Sequence, residues 1–160
     1  MKYFFISDLH VDFYAPLSRN TATLRKYFER FFEQNFLSAD ACCIAGDIAN
    51  DYFTYVEFLK FIADKYSAIY VCLGNHDIIT EIGGRYGVDR EFATSEEKIA
   101  YFLDDGSIWQ AGHTHTAIKR VFTDAKGKRH LLLCNPVGYP EENPYAEHEL
   151  KREDFVVDVE

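Results

Sequence analysis

The chain has 160 residues, of which 48% are apolar, and it contains 14 Phe and 11 Tyr. It can therefore bury a core without disulfides or a structural metal, and it most simply forms a single domain over residues 1–160. Its 17 basic and 26 acidic residues give a formal net charge of −9. That charge argues against general nucleic-acid or membrane-surface binding, because both partners are polyanions.

No apolar segment reaches the roughly 18 residues that a membrane-spanning helix requires. The N-terminal apolar run over residues 2–7 is too short for a signal peptide, and Asp8 interrupts it. The four cysteines lie in apolar runs without CxxC spacing, which predicts buried free thiols and not zinc ligands. These features predict a cytoplasmic protein that does not contact membranes.

The first half of the chain alternates between short apolar runs and longer amphipathic segments. The runs predict strands over 2–7, 41–45 and 68–73, and apolar residues at helical spacing predict helices over 21–36 and 52–66. This β-α-β-α-β order implies a parallel sheet with right-handed crossovers, and hence an α/β fold. Loops that leave the carboxyl ends of such strands meet at one edge of the sheet, where ligands bind.

The second half has weaker patterns. A capping-box pattern predicts a helix over 95–103, and a short apolar run predicts a strand over 107–111. Strands are predicted over 118–123 and 130–134 on either side of a hairpin loop, and a final strand over 155–159. The sequence has no repeat and no linker that would divide it.

Four short motifs that contain His, Asp or Asn follow predicted strands. They are Asp8-Leu9-His10, Gly46-Asp47, Gly74-Asn75-His76-Asp77 and Gly112-His113-Thr114-His115. Side chains two positions apart in an extended chain point to the same side, so Asp8 and His10 can hold one cation together. His113 and His115 repeat this spacing. Mixed nitrogen and oxygen ligands suit borderline divalent metals such as Zn, Mn or Fe.

The remaining residues of these motifs have complementary chemistry. Asp47 has two carboxylate oxygens and is the natural bridge between two metals, while Gly46 allows the sharp turn that brings it there. Asn75 offers a neutral carbonyl oxygen. Two cations about 3.5–4 Å apart can orient a phosphate ester and neutralise its charge. His76 points away from Asn75 and could protonate a leaving alkoxide.

Each motif has an ordinary explanation when it is taken alone. An Asp-x-His triplet can arise by chance or in a turn, and Gly-Asp after a strand commonly marks a turn. The combination is more informative, because all four motifs occur in order and each stands at a strand end. A purely structural origin does not account for that combination.

At these residues the chain resembles the calcineurin-like metallophosphoesterase superfamily, whose motifs run D-x-H, G-D, G-N-H-D/E, a separate histidine, and G-H-x-H. Residues 135–140 also resemble the turn that follows the last motif. Asn50 stands where many members have aspartate, a position that is not normally a ligand. The resemblance implies a metallophosphoesterase-like β-sandwich flanked by helices.

The resemblance also implies roles for individual residues. The first metal would be bound by Asp8, His10, Asp47 and His115. The second metal would be bound by Asp47, Asn75 and His113. His76 would be the leaving-group acid.

The chain departs from the family between Asp77 and Gly112. Members usually have a longer segment there, with a histidine that completes the second metal's shell, and residues 78–111 contain none. The join near residues 104–106 resembles an internal deletion, so we expect a fold truncated in its middle portion. We also expect a weakened second metal site, and an exposed sheet edge that favours a homodimer.

The sequence therefore predicts a metal-dependent phosphoesterase with one or two divalent ions (Mn, Fe or Zn). It would hydrolyse small phosphate mono- or diesters through a metal-bound hydroxide. The alternative is a non-catalytic binding or scaffold module of the same fold, or an inactive remnant. Retention of His76 favours the enzyme, whereas the missing histidine favours the alternative.

Overall fold

A computed structural model describes residues 1–74, 76, 108–123, 127–146 and 149–159. Asn75, the predicted helix over 95–103 and the predicted deletion point near 104–106 lie outside the described residues. The side chain of Trp109 also lies outside this description.

The first half of the chain forms the predicted alternation of strands and helices. Its elements are β1 (Lys2–Ser7), α1 (Thr21–Asn35), β2 (Ala41–Ala45), α2 (Tyr52–Ala63) and β3 (Ala68–Cys72). The three strands are parallel, and the register pairs Ser7 with Ala45 and Ala45 with Cys72. The carboxyl ends of the strands are therefore level, and the loops that follow them begin at the same edge of the sheet.

The described residues of the second half add four strands. They are β4 (Ile108–Gln110), β5 (Ile118–Thr123), β6 (Arg129–Cys134) and β7 (Val156–Asp158). β7 pairs antiparallel with β1, which gives a first sheet in the order β3-β2-β1-β7. The second sheet has the order β4-β6-β5, and β5 and β6 form the predicted antiparallel hairpin. The predicted α/β class, with two sheets and flanking helices, is confirmed.

Side-chain caps fix where both helices begin. The Asn20 side chain accepts the backbone N–H of Thr23 at 3.1 Å at the start of α1. Asp51 does the same for α2, accepting the backbone N–H of Thr54 at 2.8 Å. Such caps satisfy amide groups that have no partner within the helix, and each stabilises the helix by about 1 kcal/mol.

Aromatic side chains join the two helices to each other. Phe28 and Phe31 lie on the buried face of α1, and both contact the fully buried Phe58 of α2. The ring centroids are 5.2 Å apart for Phe28 and Phe58 and 5.7 Å apart for Phe31 and Phe58, both in edge-to-face arrangements. This geometry is favourable for aromatic pairs. The result is a rigid layer beside the parallel strands.

The two sheets meet at β1. The Gln110 side-chain amide donates to the backbone carbonyls of Ile6 at 2.8 Å and Cys43 at 3.0 Å. A parallel bridge also pairs Ser7 with Pro136, directly after β6. The end of β6 is thereby fixed beside the end of β1, which brings the turn over residues 135–140 to the ligand loops.

The four cysteines are free, and Cys42 and Cys134 are buried as predicted. Cys43 is only partly buried, and the prediction is wrong for Cys72, which is exposed because it ends β3 at the border of the first sheet. In the described part of the chain, no helix combines the length and hydropathy needed to cross a bilayer. The cytoplasmic location and the single domain stay predictions.

Candidate metal centre

Backbone hydrogen bonds hold the loops after β1, β2 and β6 side by side. Asp8 N–H donates to the Gly46 carbonyl at 3.2 Å, and His10 N–H donates to the Asp47 carbonyl at 2.8 Å. On the other side, Gly138 N–H donates to the Asp8 carbonyl at 3.0 Å. The convergence of the loops after β1 and β2 follows from the parallel strand topology, as predicted.

Three predicted ligands come together at this edge. One side-chain ligand atom from each of Asp8, His10 and His115 lies within 4.8 Å of the other two. The Nε2 atoms of His10 and His115 are 3.1 Å apart, and His115 Nε2 is 4.0 Å from Asp8 Oδ1. Neighbouring ligands of a cation with bonds of about 2.1 Å are separated by about 3.0–3.4 Å. The two imidazoles are therefore spaced as ligands of one ion would be.

Burial shifts the pKa values of Asp8 and His10, the two candidate ligands of the first motif. Asp8 and His10 are each only 1% exposed. Burial lowers the pKa of His10 to about 4, so its imidazole is neutral and has a lone pair to donate at neutral pH. Burial also raises the pKa of Asp8, although hydrogen bonds from the Ser7 hydroxyl and the His113 backbone N–H oppose this, each at 2.6 Å. A cation would offset the cost of ionising that buried carboxylate.

Backbone strain marks the same residues. Within the described ranges, the non-glycine residues with positive φ are all predicted ligands: Asp8 (50°), His10 (44°), Asp47 (50°), His113 (74°) and His115 (48°). This conformation costs about 1–2 kcal/mol per residue and persists where surrounding contacts over-determine it. The donor set, its spacing and this strain together fit a bound divalent ion.

Of the three residues predicted to bind a second ion, Asp47 and His113 lie in the described part of the chain. Asp47 is buried, and its Oδ1 accepts the backbone N–H of His76 at 2.8 Å. It is not among the three clustered residues, Asp8, His10 and His115. The side chain of His113 is exposed, and Asn75 lies outside the described residues. The second site stays a prediction.

His76 lies next to the clustered residues. Its ring centroid is 5.2 Å from that of His10, with the two planes nearly perpendicular. The Nδ1 atom of His76 is 3.0 Å from Oδ1 of Asn50. The Asn50 side chain in turn donates through Nδ2 to Asp12 Oδ2 at 2.9 Å. Asn50 therefore holds the predicted acid in place, although it did not stand out as functional in the sequence.

Among the described residues, Tyr139 and Glu142 also contact the histidines of the cluster, and neither contact was predicted. The ring of Tyr139 stacks on His10 with centroids 4.4 Å apart and an interplanar angle of 28°. Glu142 Oε2 lies 2.7 Å from His115 Nδ1. The turn over residues 135–140 was noted because it resembles the turn that follows the last motif of the family. No feature of the sequence distinguishes Glu142 from other acidic residues.

Comparison with curated proteins and with solved structures gave no match. A family model described as calcineurin-like phosphoesterase matches residues 1–158. Together with the clustered Asp8, His10 and His115, this match supports a metal-dependent phosphoesterase in general terms. The match extends over nearly the whole sequence, and the chain therefore belongs to the calcineurin-like phosphoesterase family.

Proposed function

We propose that this chain hydrolyses small phosphate mono- or diesters with the help of one or two divalent cations. The observation that carries the proposal is the approach of His10 Nε2 to His115 Nε2 at 3.1 Å beside the buried Asp8, with the His76 ring 5.2 Å from His10. A ligand group and a candidate proton donor are thus adjacent. His115 is 17% exposed, so a small substrate can reach the group from solvent.

The first cation would be held by Asp8, His10 and His115, and Asp47 would contribute a bridging oxygen. A second cation would be held by Asp47, Asn75 and His113, and more weakly, because the family's separate histidine has no counterpart over 78–111. When bound, such ions supply Lewis-acid activation of water and neutralise charge on the phosphate. The mixed nitrogen and oxygen set suits Mn, Fe or Zn.

His76 would supply the proton that the leaving group needs. The Asn50 carbonyl oxygen can accept the Nδ1–H of His76, which leaves Nε2–H of the protonated ring to face the substrate. As the P–O bond breaks, that proton passes to the leaving alkoxide. The attacking water loses a proton to solvent and His76 takes one back from solvent, so the proton balance of hydrolysis closes.

The test is an assay of the chelator-treated protein after loading with Mn²⁺, Fe²⁺ or Zn²⁺, using a phosphate monoester and a phosphodiester. We expect turnover that depends on the added metal and that is lost in Asp8→Asn and His10→Gln. Metal binding without turnover of either ester would favour the non-catalytic binding module. Absence of metal binding would favour an inactive remnant.

We also propose that the exposed border of the first sheet supports a homodimer. Among the described residues β3 pairs with one strand, β2, and its Tyr70 and Val71 are 55% and 39% exposed. An apolar sheet edge of this kind can pair with a second copy. Light scattering should give a dimer that Val71→Lys converts to a monomer. Leu17→Lys, at a site that is 80% exposed, is the control and should change nothing.

A further inference from the structure

We propose that Glu142 is a positioning residue that keeps His115 in the tautomer with Nε2 free to bind a cation. The ligand role of His115 rests on the proposed function, whereas its tautomer does not. Glu142 Oε2 lies 2.7 Å from His115 Nδ1, on the side of the ring opposite to the clustered ligands. A carboxylate can only accept, so Nδ1 carries the proton.

The tautomer decides what the other ring nitrogen can do. Nε2 of His115 faces His10 Nε2 at 3.1 Å and Asp8 Oδ1 at 4.0 Å. With the proton held on Nδ1, the lone pair on Nε2 of the neutral ring is directed toward His10 Nε2 and Asp8 Oδ1. With the proton on Nε2 the ring could not coordinate. A carboxylate that accepts the other ring N–H of a ligating histidine also makes the ring a better electron-pair donor to the cation.

The loop that carries Glu142 is built around this carboxylate. The same Oε2 accepts the backbone N–H of Tyr139 at 2.8 Å, so two donors converge on one oxygen. Gly138 has φ of +75°, and a Cβ there would lie 2.6 Å from Glu142 Oε2, so a larger residue would displace this carboxylate from its position. An ordinary surface ion pair has no such second donor or close approach, and contributes little to stability.

Through Tyr139 the loop also contacts the second imidazole. The Tyr139 ring stacks on His10 with centroids 4.4 Å apart, while the Tyr139 backbone N–H donates to Glu142 Oε2. One short loop therefore fixes His10 by stacking and His115 by a hydrogen bond. These contacts come from a segment of the chain that supplies no predicted ligand.

The first measurement is the tautomer of His115 in the metal-free protein, read from long-range ¹H–¹⁵N couplings at about pH 8.5, above the ordinary imidazole range. We expect the Nδ1–H form in the native protein and in Glu142→Gln, which keeps an acceptor oxygen. We expect Glu142→Ala to give a mixture or the Nε2–H form. A native protein in the Nε2–H form, or a Glu142→Ala protein with an unchanged tautomer, would overturn the proposal.

The second measurement is Zn²⁺ affinity by calorimetry. We expect Glu142→Ala to bind Zn²⁺ about 10- to 100-fold more weakly, with a smaller loss in Glu142→Gln, because outer-shell partners have effects of this size. Glu141→Gln, which removes the same charge one residue away, should bind as the native protein does. Equal affinity in all four proteins would also overturn the proposal. An absence of turnover with the tautomer results intact would refute the proposed function and leave this inference standing.

Discussion

His76 Nδ1 and Asn50 Oδ1 are 3.0 Å apart, and this contact connects the loops that follow β3 and β2. Asp12 fixes the orientation of the Asn50 side-chain amide. Its Oδ2 accepts from Asn50 Nδ2 at 2.9 Å and from the Asn50 backbone N–H at 3.3 Å. The carbonyl oxygen of Asn50 must therefore face the imidazole. A side chain outside the predicted ligand set thus determines the orientation of the candidate acid.

Replacement of Asn50 should reduce turnover without loss of metal. In Asn50→Ala the imidazole loses its acceptor, and we expect a fall in kcat of about tenfold, a part of what a positioned acid contributes. In Asn50→Asp a carboxylate favours the protonated ring, so the alkaline limb of the pH–rate profile should move to higher pH. An unchanged profile in Asn50→Asp would show that His76 does not act as the acid.

Removal of the imidazole itself should have an effect that depends on the leaving group. We expect His76→Ala to lose about 100- to 10,000-fold in kcat with an alkyl ester, whose alkoxide needs a proton. An activated aryl ester leaves without one, so its loss should be much smaller. Metal affinity measured by calorimetry should stay within a few-fold of native. Equal losses with both esters would assign His76 to binding and not to proton transfer.

The sequence predicted the strands and ligand loops well because both depend on local patterns. The predicted bounds of β1, β2 and β5 agree with the structure, since each strand is followed by a polar or turn residue. Asp8, His10 and His115 were found because each follows a strand, and the topology brings strand ends together. Parallel pairing places Asp8 and His10 beside the loop of Asp47. His115 instead follows β4 of the second sheet, and its loop is held there by the His113 N–H that donates to Asp8 Oδ1.

The parts that the sequence did not predict depend on distant contacts. Helix α2 was expected to reach Tyr66 but ends at Ala63. Tyr66 continues the helical spacing of apolar residues in the sequence, but its ring is buried by core contacts beyond the end of the helix. Its hydroxyl donates to the Leu37 carbonyl at 2.7 Å. The contacts of Asn50 and Glu142 were not predicted for the same reason, because their partners lie 26 and 27 residues away along the chain.

The close approach of two glycines predicts a severe effect of a single methyl group. Gly46 has φ of +69°, and a Cβ there would overlap the backbone of Gly74. The loops that carry Asp47 and His76 would have to separate, so we expect Gly46→Ala to lose about 3 kcal/mol or more of stability. Metal affinity should fall as well.

Gly127→Ala is the matched control for this substitution. Gly127 has a similar φ of +79°, but a Cβ there would meet nothing within 4 Å. We expect only the conformational cost, about 1–2 kcal/mol, and native metal affinity. Chemical denaturation and calorimetry measure both quantities. Equal losses of stability in the two variants would show that the contact between the glycine loops is not tight.

The depressed pKa of His10 predicts that the metal-free protein loses stability in mild acid. Burial is the main cause of the shift from 6.5 to about 4, and the neighbouring Asp47 opposes it. Because the folded-state pKa is lowered, the contribution to stability is present above pH 6.5 and is lost as the pH falls toward about 4. Between pH 7 and 5 the loss should be roughly 1–2 kcal/mol.

The comparison of native protein with His10→Gln isolates this contribution. The raised pKa of Asp8 acts in the opposite sense, since it favours the folded state at low pH, and it is present in both proteins. Urea unfolding in the presence of a chelator should therefore show a steeper loss between pH 7 and 5 for the native protein than for His10→Gln. Parallel losses in the two proteins would mean that His10 is protonated in the folded state, and the imidazole would then have no lone pair to offer a cation at mildly acidic pH.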